Sequence, residues 1–428
     1  MSNTTNLVAD VQLSEDQQKA LQEFYLFYTS TTENVFVIAG NAGCGKTTLV
    51  NNIIKNLPKF VQSCKLLNAS VKEYGIYLTA TTNKAADNLR ELTNYPRNDV
   101  TTIHSLLGLV VKTDYQSNKS IVTRKSKHTY VSHSLIFIDE ASYIDSHLLQ
   151  IIFECVDKCK IVFIGDPAQL TPVKSNYCPV FLSGFKTVTL NKVMRQAENN
   201  PIINLALKFR DTVNTDKFFK FKPDNFHIQH FNKEDFLKKI EERFSIPNWS
   251  YSCSKVLAWT NACVVDYNNY IQNKVHGKTT FKVNDYALCN SYVHTKDLSY
   301  KANSIVQISS ISPDTYSYGV LGNFMSFDGL TLFNVIFVPK SFQDINDALK
   351  KAKSECDEDT MRIISETFMD LRAVFACTIN KSQGSTYDEV FIDLDNIKKC
   401  NQSNQVARML YVAISRARHH VYLTGDIV

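Results

Sequence analysis

Apolar residues in the first part of the chain fall in short unbroken runs. Val35-Phe36-Val37-Ile38-Ala39 is bounded by polar residues and reads as a strand of a parallel sheet, buried on both faces. Leu135-Ile136-Phe137-Ile138 and Ile161-Val162-Phe163-Ile164 read the same way. Between them the period lengthens. "TTLVNNIIKNL" places Leu49, Ile53 and Leu57 on one face of a helix, which Pro58 is expected to help end. Residues 280–338 alternate with period two, as in "NSIVQISSI" and "LTLFNVIFV", and predict short strands. Residues 341–372 turn helical, with Met361, Ile364, Phe368 and Leu371 on one packing face. Residues 377–394 begin and end as strand around a polar turn, and 410–423 lead into a further strand. There is no internal repeat and no low-complexity tract.

Chemistry enters at the end of the first strand. "GNAGCGKTTLV" (40–50) holds three of the chain's 13 glycines in its first six positions. Gly40 and Gly45 bracket G-x-x-x-x-G-K-T between a strand and a helix, the context of a phosphate-binding loop. Glycine lets backbone N–H groups turn inward onto phosphate oxygens, and the helix N-terminus adds its positive dipole end. Asn41, Ala42, Gly43, Cys44, Gly45, Lys46, Thr47 and Thr48 are therefore nucleotide-binding candidates. Lys46 should reach the β- and γ-phosphates and Thr47 should ligate Mg²⁺. "SLIFIDEAS" (134–142) ends its apolar run in Asp139 and Glu140. Asp139 suits Mg²⁺, and Glu140 suits the general base that activates water. "KIVFIGD" (160–166) continues into "PAQLTPV", where Gln169 could sense the γ-phosphate or position water.

Bulk properties narrow the setting. The 428 residues suggest several domains, and 44% apolar with 21% charged residues is ordinary for a globular protein. A net charge of +5 is compatible with a polyanion partner without demanding one. Eleven cysteines form no Cys-x-x-Cys pair, which argues against a zinc site and for reduced thiols. "MSNTTNLVAD" has no basic stretch followed by an apolar run, and no window approaches a membrane span. The expectation is a soluble cytoplasmic protein that makes no use of a membrane.

What hydrolysis drives is not given by the loop alone. A kinase or metabolic ATPase uncoupled from nucleic acid, and a binding module with a vestigial ATP site, stay open at this point. The order of further motifs resembles superfamily 1 helicases of the RecD-like and phage Dda-like branch over nearly the whole chain. "LSEDQQKAL" (13–21) resembles the adenine-reading glutamine motif, with Gln17 the reader, and "GNAGCGKTT" motif I. "LTATTNKAADNL" (78–89) and "TTIHSLLG" (101–108) resemble two polymer-contacting motifs, "FIDEAS" motif II and "VFIGDPAQLTPV" (162–173) motif III. "LNKVMRQAENNPIINLA" (190–206) is similar to the segment with a phosphate-sensing arginine, here Arg195. "VLAWTNACVVDYNNYI" (256–271), 377–394 and 410–423 resemble motifs IV, V and VI. Two positions depart: Thr81-Thr82 stands where Pro-Thr is usual, and Asn380 where His is frequent.

The resemblance implies an α/β fold of two RecA-like P-loop domains with parallel sheets flanked by helices. It places the first at 1–187, interrupted at 109–131 by a basic hairpin of the kind used as a strand-splitting pin. That insert holds Lys119, Arg124, Lys125 and Lys127, and no acid occurs from Tyr115 to Ile138. The second domain is expected at 188–275 and 374–428, with an SH3-like barrel and helical arm at 276–373. ATP and Mg²⁺ would lie between the two domains, with Arg195, Arg416 and Gly384 completing the site. Arg416 is preferred over Arg418, which lies two positions on and would face elsewhere in a helix. Thr82 and His104, with Thr260, Asn261, Thr378 and Ser382, would hold single-stranded DNA. The implied activity is ATP-driven 5′→3′ translocation and unwinding at single-strand/duplex junctions, in replication, recombination or repair. It implies a monomer, with single-strand-binding or replication proteins as partners. A viral-type RNA helicase of the same superfamily is the alternative, because 2′-hydroxyl contacts cannot be read from sequence.

Overall fold

The computed structural model describes residues 13–427 except 68–70, 94, 96–99, 115–118, 125–129, 173, 174, 176, 192–199, 296 and 330–333. The chain divides into two compact units, one ending at Ile203 and the other starting at Asn204.

In the first unit the three apolar runs form the centre of a parallel sheet of six strands. Their order is Lys186–Leu190, Val35–Gly40, Lys160–Gly165, Ser134–Asp139, Gly75–Ala80, Val100–Thr102. Every pairing is parallel, so all six strands end at one edge, where open α/β sheets place their ligands. The last strand pairs Phe36 with Lys186 through Gly40 with Leu190, which carries this sheet past the expected boundary at 187. The helix Glu15–Thr29 lays Phe24 and Phe27 against Phe36 and Phe137 in the core. Its last turn is closed from the sheet: Lys160 Nζ donates to the carbonyls of Phe27 (2.8 Å), Ser30 (2.6 Å) and Glu33 (2.6 Å).

The helix after the loop runs from Lys46 to Leu66, straight through Pro58, so the expected stop is overturned. Leu49, Ile53 and Leu57 are buried as predicted, but the apolar stripe continues through Val61. Phe60 adds a stack on Tyr25 at 4.0 Å between ring centroids. Packing on both sides of the proline outweighs its missing N–H, a local cost of about 3 kcal/mol. The expected hairpin is present as strands Leu109–Asp114 and Lys119–Arg124, paired antiparallel. Lys125 and Lys127 lie outside the described residues.

The second unit holds a parallel sheet ordered Ile228–Phe231, Ala417–Thr424, Tyr387–Asp393, Ser254–Ala258, Ala376–Thr378. Inserted between its fourth and fifth strands by position is an antiparallel sheet of six strands, running from Tyr286–Cys289 to Ile336–Pro339 and taking in Leu371–Arg372. The helical arm is two helices, Phe342–Ser354 and Glu358–Thr367. Ile364 and Phe368 pack with Val320 and Phe337, as the stripe predicted. Leu371 does not share that face: the helix has ended at Thr367, and Leu371 joins the strand that pairs with Leu288–Cys289. The helix Ser403–Ser415 likewise ends one residue before Arg416, which caps it. Arg416 and Arg418 therefore diverge at a helix-to-strand turn, not around a helix.

Candidate nucleotide site and helix-cap ledges

At the sheet edge of the first unit, the loop 40–48 leaves its strand with Gly43 and Gly45 at φ 81° and 80°, values that favour glycine. Gly40 is needed for a different reason. A Cβ there would stand 2.6 Å from Cys44 Sγ and 2.8 Å from the Leu190 carbonyl. Lys46 Nζ folds back and donates to the carbonyls of Gly40 (2.7 Å) and Asn41 (2.8 Å). Thr47 and Thr48 sit in the first turn of the helix Lys46–Leu66. Ala42 is half-buried, and the buried Asn41 Oδ1 has no hydrogen-bond partner.

Gln17 is 1% exposed. It completes a capping box, its N–H donating to Ser14 Oγ and its Oε1 accepting from the Ser14 N–H (3.0 Å). Its Nε2 donates to the carbonyls of Gly45 (3.1 Å) and Cys44 (3.4 Å). The side chain expected to read a base thus grips the phosphate loop here.

Asp139 ends its strand beside the loop. Burial pushes its carboxyl above the ordinary carboxylate range, against the pull of the Glu140 N–H at 2.8 Å and of the Lys46 ammonium. Glu140 follows in the left-handed region, φ 53° and ψ 44°, which a residue with a Cβ occupies at a cost of about 1–3 kcal/mol. Asp166 and Gln169 are buried at the next strand's end, Ala168 N–H donating to Asp166 Oδ1 at 3.0 Å. Arg195 lies outside the described residues.

A second pattern recurs at strand ends. Thr82 Oγ1 accepts the Ala85 N–H (3.2 Å) at the start of the helix Asn83–Thr93. Thr260 and Thr378 cap the helices Asn261–Tyr270 and Ile379–Ser382, accepting from Cys263 (3.3 Å) and Lys381 (3.3 Å). Three of the six residues expected to hold a polymer are thus hydroxyl caps where strand passes into helix, a place that offers N–H groups and positive potential to anions. His104, half-buried in the short helix Ile103–Leu106, has its pKa lowered by burial. Asn261, Thr378 and Lys381 line one cleft of about 910 Å³ in the second unit. Ser382 is not on that surface: it is fully buried and donates to the Ile379 carbonyl at 2.7 Å.

Two residues organise these sites: Asn396, which sequence reasoning missed, and Thr81, which it noted only as a departure from a motif. Asn396 Oδ1 accepts the N–H groups of Trp259 (2.8 Å) and Thr260 (3.1 Å), while its Nδ2 donates to Thr260 Oγ1 (2.9 Å). Thr81, a departure from the motif's usual Pro-Thr, uses what proline lacks. Its N–H donates to the Asp139 carbonyl (3.3 Å) and its hydroxyl to the Glu140 carbonyl (3.1 Å).

Arg416 is 6% exposed. It donates to the carbonyls of Val412 and Ser385, each at 3.2 Å, and to Ser415 Oγ at 3.0 Å. Arg418 is exposed and paired with Asp388 at 3.0 Å. Gly384 stands in the left-handed region at φ 71°.

Comparison with known proteins agrees with this division. The family described as an AAA domain matches residues 23–175, and the UvrD-like helicase C-terminal domain matches 373–424. An uncharacterised protein of Acanthamoeba polyphaga mimivirus is 24% identical over 94% of this chain and 97% of its own length. RecD, a subunit of the RecBCD enzyme of Buchnera aphidicola, is 31% identical over 42% of this chain and 30% of its own. The ATP-dependent DNA helicase PIF1 of Candida albicans is 26% identical over 48% of this chain and 23% of its own. The chain matches a third or less of the length of those two proteins. A Bacteroides Pif1 helicase, solved with ADP-AlF3 and single-stranded DNA, shares the fold with a TM-score of 0.50 at 18% identity, covering 98% of this chain and 94% of that one. Among the described residues no helix is long and apolar enough to cross a membrane.

Proposed function

We propose that the chain is a superfamily 1 helicase of the RecD- and Pif1-like kind, a reading supported by its matches to the AAA and UvrD-like C-terminal domains and to RecD and PIF1, and that it hydrolyses ATP to move 5′→3′ along single-stranded DNA and to open duplex at junctions. The observation that carries this reading is the shared sheet edge of the first unit. There a phosphate loop, an acidic turn and a hydroxyl-capped helix stand at the same edge of one parallel sheet.

On nucleotide binding, Lys46 Nζ exchanges the Gly40 and Asn41 carbonyls for phosphate oxygens, and the amides of 41–48 close around them. Glu140 orients the attacking water and accepts its proton. The residues present fit a magnesium ion: Asp139 brings a half-buried carboxyl within the field of Lys46, and Thr47 brings a hydroxyl to the start of the helix. Magnesium there supplies charge neutralisation at the phosphates. Gln169, Arg195, Arg416 and Gly384 are the remaining candidates on the nucleotide side. Gln17 contributes through the loop that it grips.

Thr82, His104, Thr260, Asn261 and Thr378 hold the sugar-phosphate backbone. Hydroxyl and amide contacts fix position without reading bases, so little sequence preference is expected. The antiparallel sheet of the second unit is read as the SH3-like barrel and the 109–124 hairpin as the pin. The setting is replication, recombination or repair in the cytoplasm, by a monomer that meets single-strand-binding or replication proteins. Duplexes with one single-stranded tail test the direction. A 5′-tailed duplex is expected to unwind with ATP and a 3′-tailed one to stay closed; the reverse outcome contradicts the polarity.

A further inference from the structure

The strands Gly75–Ala80 and Ser134–Asp139 run parallel in register until Ala80 meets Asp139. Beyond that point the two chains part. One turns into the helix Asn83–Thr93, the other into the short turn Ala141–Tyr143. Thr81 bridges the gap. Its N–H adds a last rung to the Asp139 carbonyl at 3.3 Å, and its hydroxyl reaches one residue further, to the Glu140 carbonyl at 3.1 Å. Thr79, two residues earlier on the same face, makes the same kind of bond to the Phe137 carbonyl at 2.8 Å. The two hydroxyls lash the edge of one strand to the other.

The second lashing holds a strained residue. Glu140 lies at φ 53°, where a side-chain-bearing residue stays only if its surroundings fix it. Three of its bonds contribute: its N–H to Asp139 Oδ1 (2.8 Å), its carbonyl from the Tyr143 N–H (3.1 Å), and its carbonyl from the Thr81 hydroxyl. The first two are local to the turn. The Thr81 bond alone of these three comes from another element, and the next residue along that element is Thr82, the cap of a helix N-terminus.

We propose that Thr81 is a positioning residue that couples occupancy of the polymer ledge at Thr82 to the placement of Glu140, so that strand binding accelerates hydrolysis through this hydroxyl. The inference rests on the reading of Thr82 as a strand contact and Glu140 as the general base. Thr81 and Thr82 share a peptide bond. A phosphate that draws the helix N-terminus and its cap therefore displaces Thr81, and the hydroxyl carries that displacement to the Glu140 backbone.

The test uses Thr81→Val, which keeps the shape and the N–H but removes the hydroxyl, and Thr81→Ser, which restores it. ATP hydrolysis is measured with and without saturating oligo-dT, and the oligo-dT dissociation constant by fluorescence anisotropy. Loss of one neutral hydrogen bond corresponds to about a two- to ten-fold effect. Thr81→Val is expected to lower the stimulated rate more than the unstimulated one, so that the stimulation ratio falls by that factor while the dissociation constant stays within about two-fold. Thr81→Ser should behave as the native chain. If Thr81→Val melts too low to assay, Thr81→Ala gives the same reading without a branched side chain in the turn. Undiminished stimulation in the hydroxyl-free variants overturns the inference. So does an equal fall in both rates, or weaker oligo-dT binding with stimulation intact. A native chain that oligo-dT does not stimulate at all defeats the parent reading of the ledge instead.

Discussion

Asn396 shows how a single amide can fix the chemistry of a hydroxyl. Thr260 Oγ1 accepts from both the Cys263 N–H and Asn396 Nδ2, so both its lone pairs are engaged. Its own hydrogen is left to donate outward, which suits a phosphate oxygen. Asn396→Asp keeps the acceptor for the Trp259 and Thr260 N–H groups but removes the donor, and the Thr260 hydroxyl then turns inward. That variant should weaken oligo-dT binding about ten-fold, as should Thr260→Ala, with the double variant no weaker than either. Additive losses would mean that the new carboxylate acts by charge alone. Lys160 gives a pH signature of another kind. Burial pushes its pKa down from 10.5 to about 8. Between those values the unfolded chain keeps a proton that the folded one has released, so the stability from this residue rises with pH across that window. The melting temperature of the native chain should rise relative to that of Lys160→Met from pH 8 to pH 10; a constant difference contradicts it. The loop residues were legible in sequence because their chemistry is local: spacing alone places Gly40, Gly45, Lys46 and Thr47. Asn396 and Thr81 were not, since each acts on a residue that is adjacent only in the folded sheet.

At the scale of elements, periodicity located strands and helices well and their ends poorly. Unbroken apolar runs became central strands, and Leu49, Ile53 and Leu57 became a buried face. The ends were set by packing that a local reading does not contain. The helix Lys46–Leu66 passes Pro58 because Phe60 and Val61 have partners to cover. The helix Glu358–Thr367 stops before Leu371 because that residue pairs with Cys289 instead. If Pro58 persists only through its neighbours, Pro58→Ala should restore a hydrogen bond to the Ile54 carbonyl and raise stability by about 1–3 kcal/mol in thermal or denaturant unfolding. A lower melting temperature would mean that the proline fits a bend that the packing requires.

Over the whole molecule, two parallel sheets in two units repeat one device: a strand that ends in a hydroxyl cap and passes into a helix N-terminus. The architecture was legible because the motifs are ordered along the chain and each marks a strand end. The boundary was not, since the strand Lys186–Leu190 is amphipathic and half-buried and gives no strong apolar run. The central claim is that ATP is hydrolysed in response to a nucleic-acid strand. The most direct measurement is the steady-state ATPase rate of the full chain with and without oligo-dT, alongside Lys46→Ala. The account predicts a rate raised at least about ten-fold by the oligonucleotide. It also predicts near-total loss of hydrolysis in Lys46→Ala, with oligo-dT binding largely kept. A native rate that does not change when oligo-dT is added would contradict it.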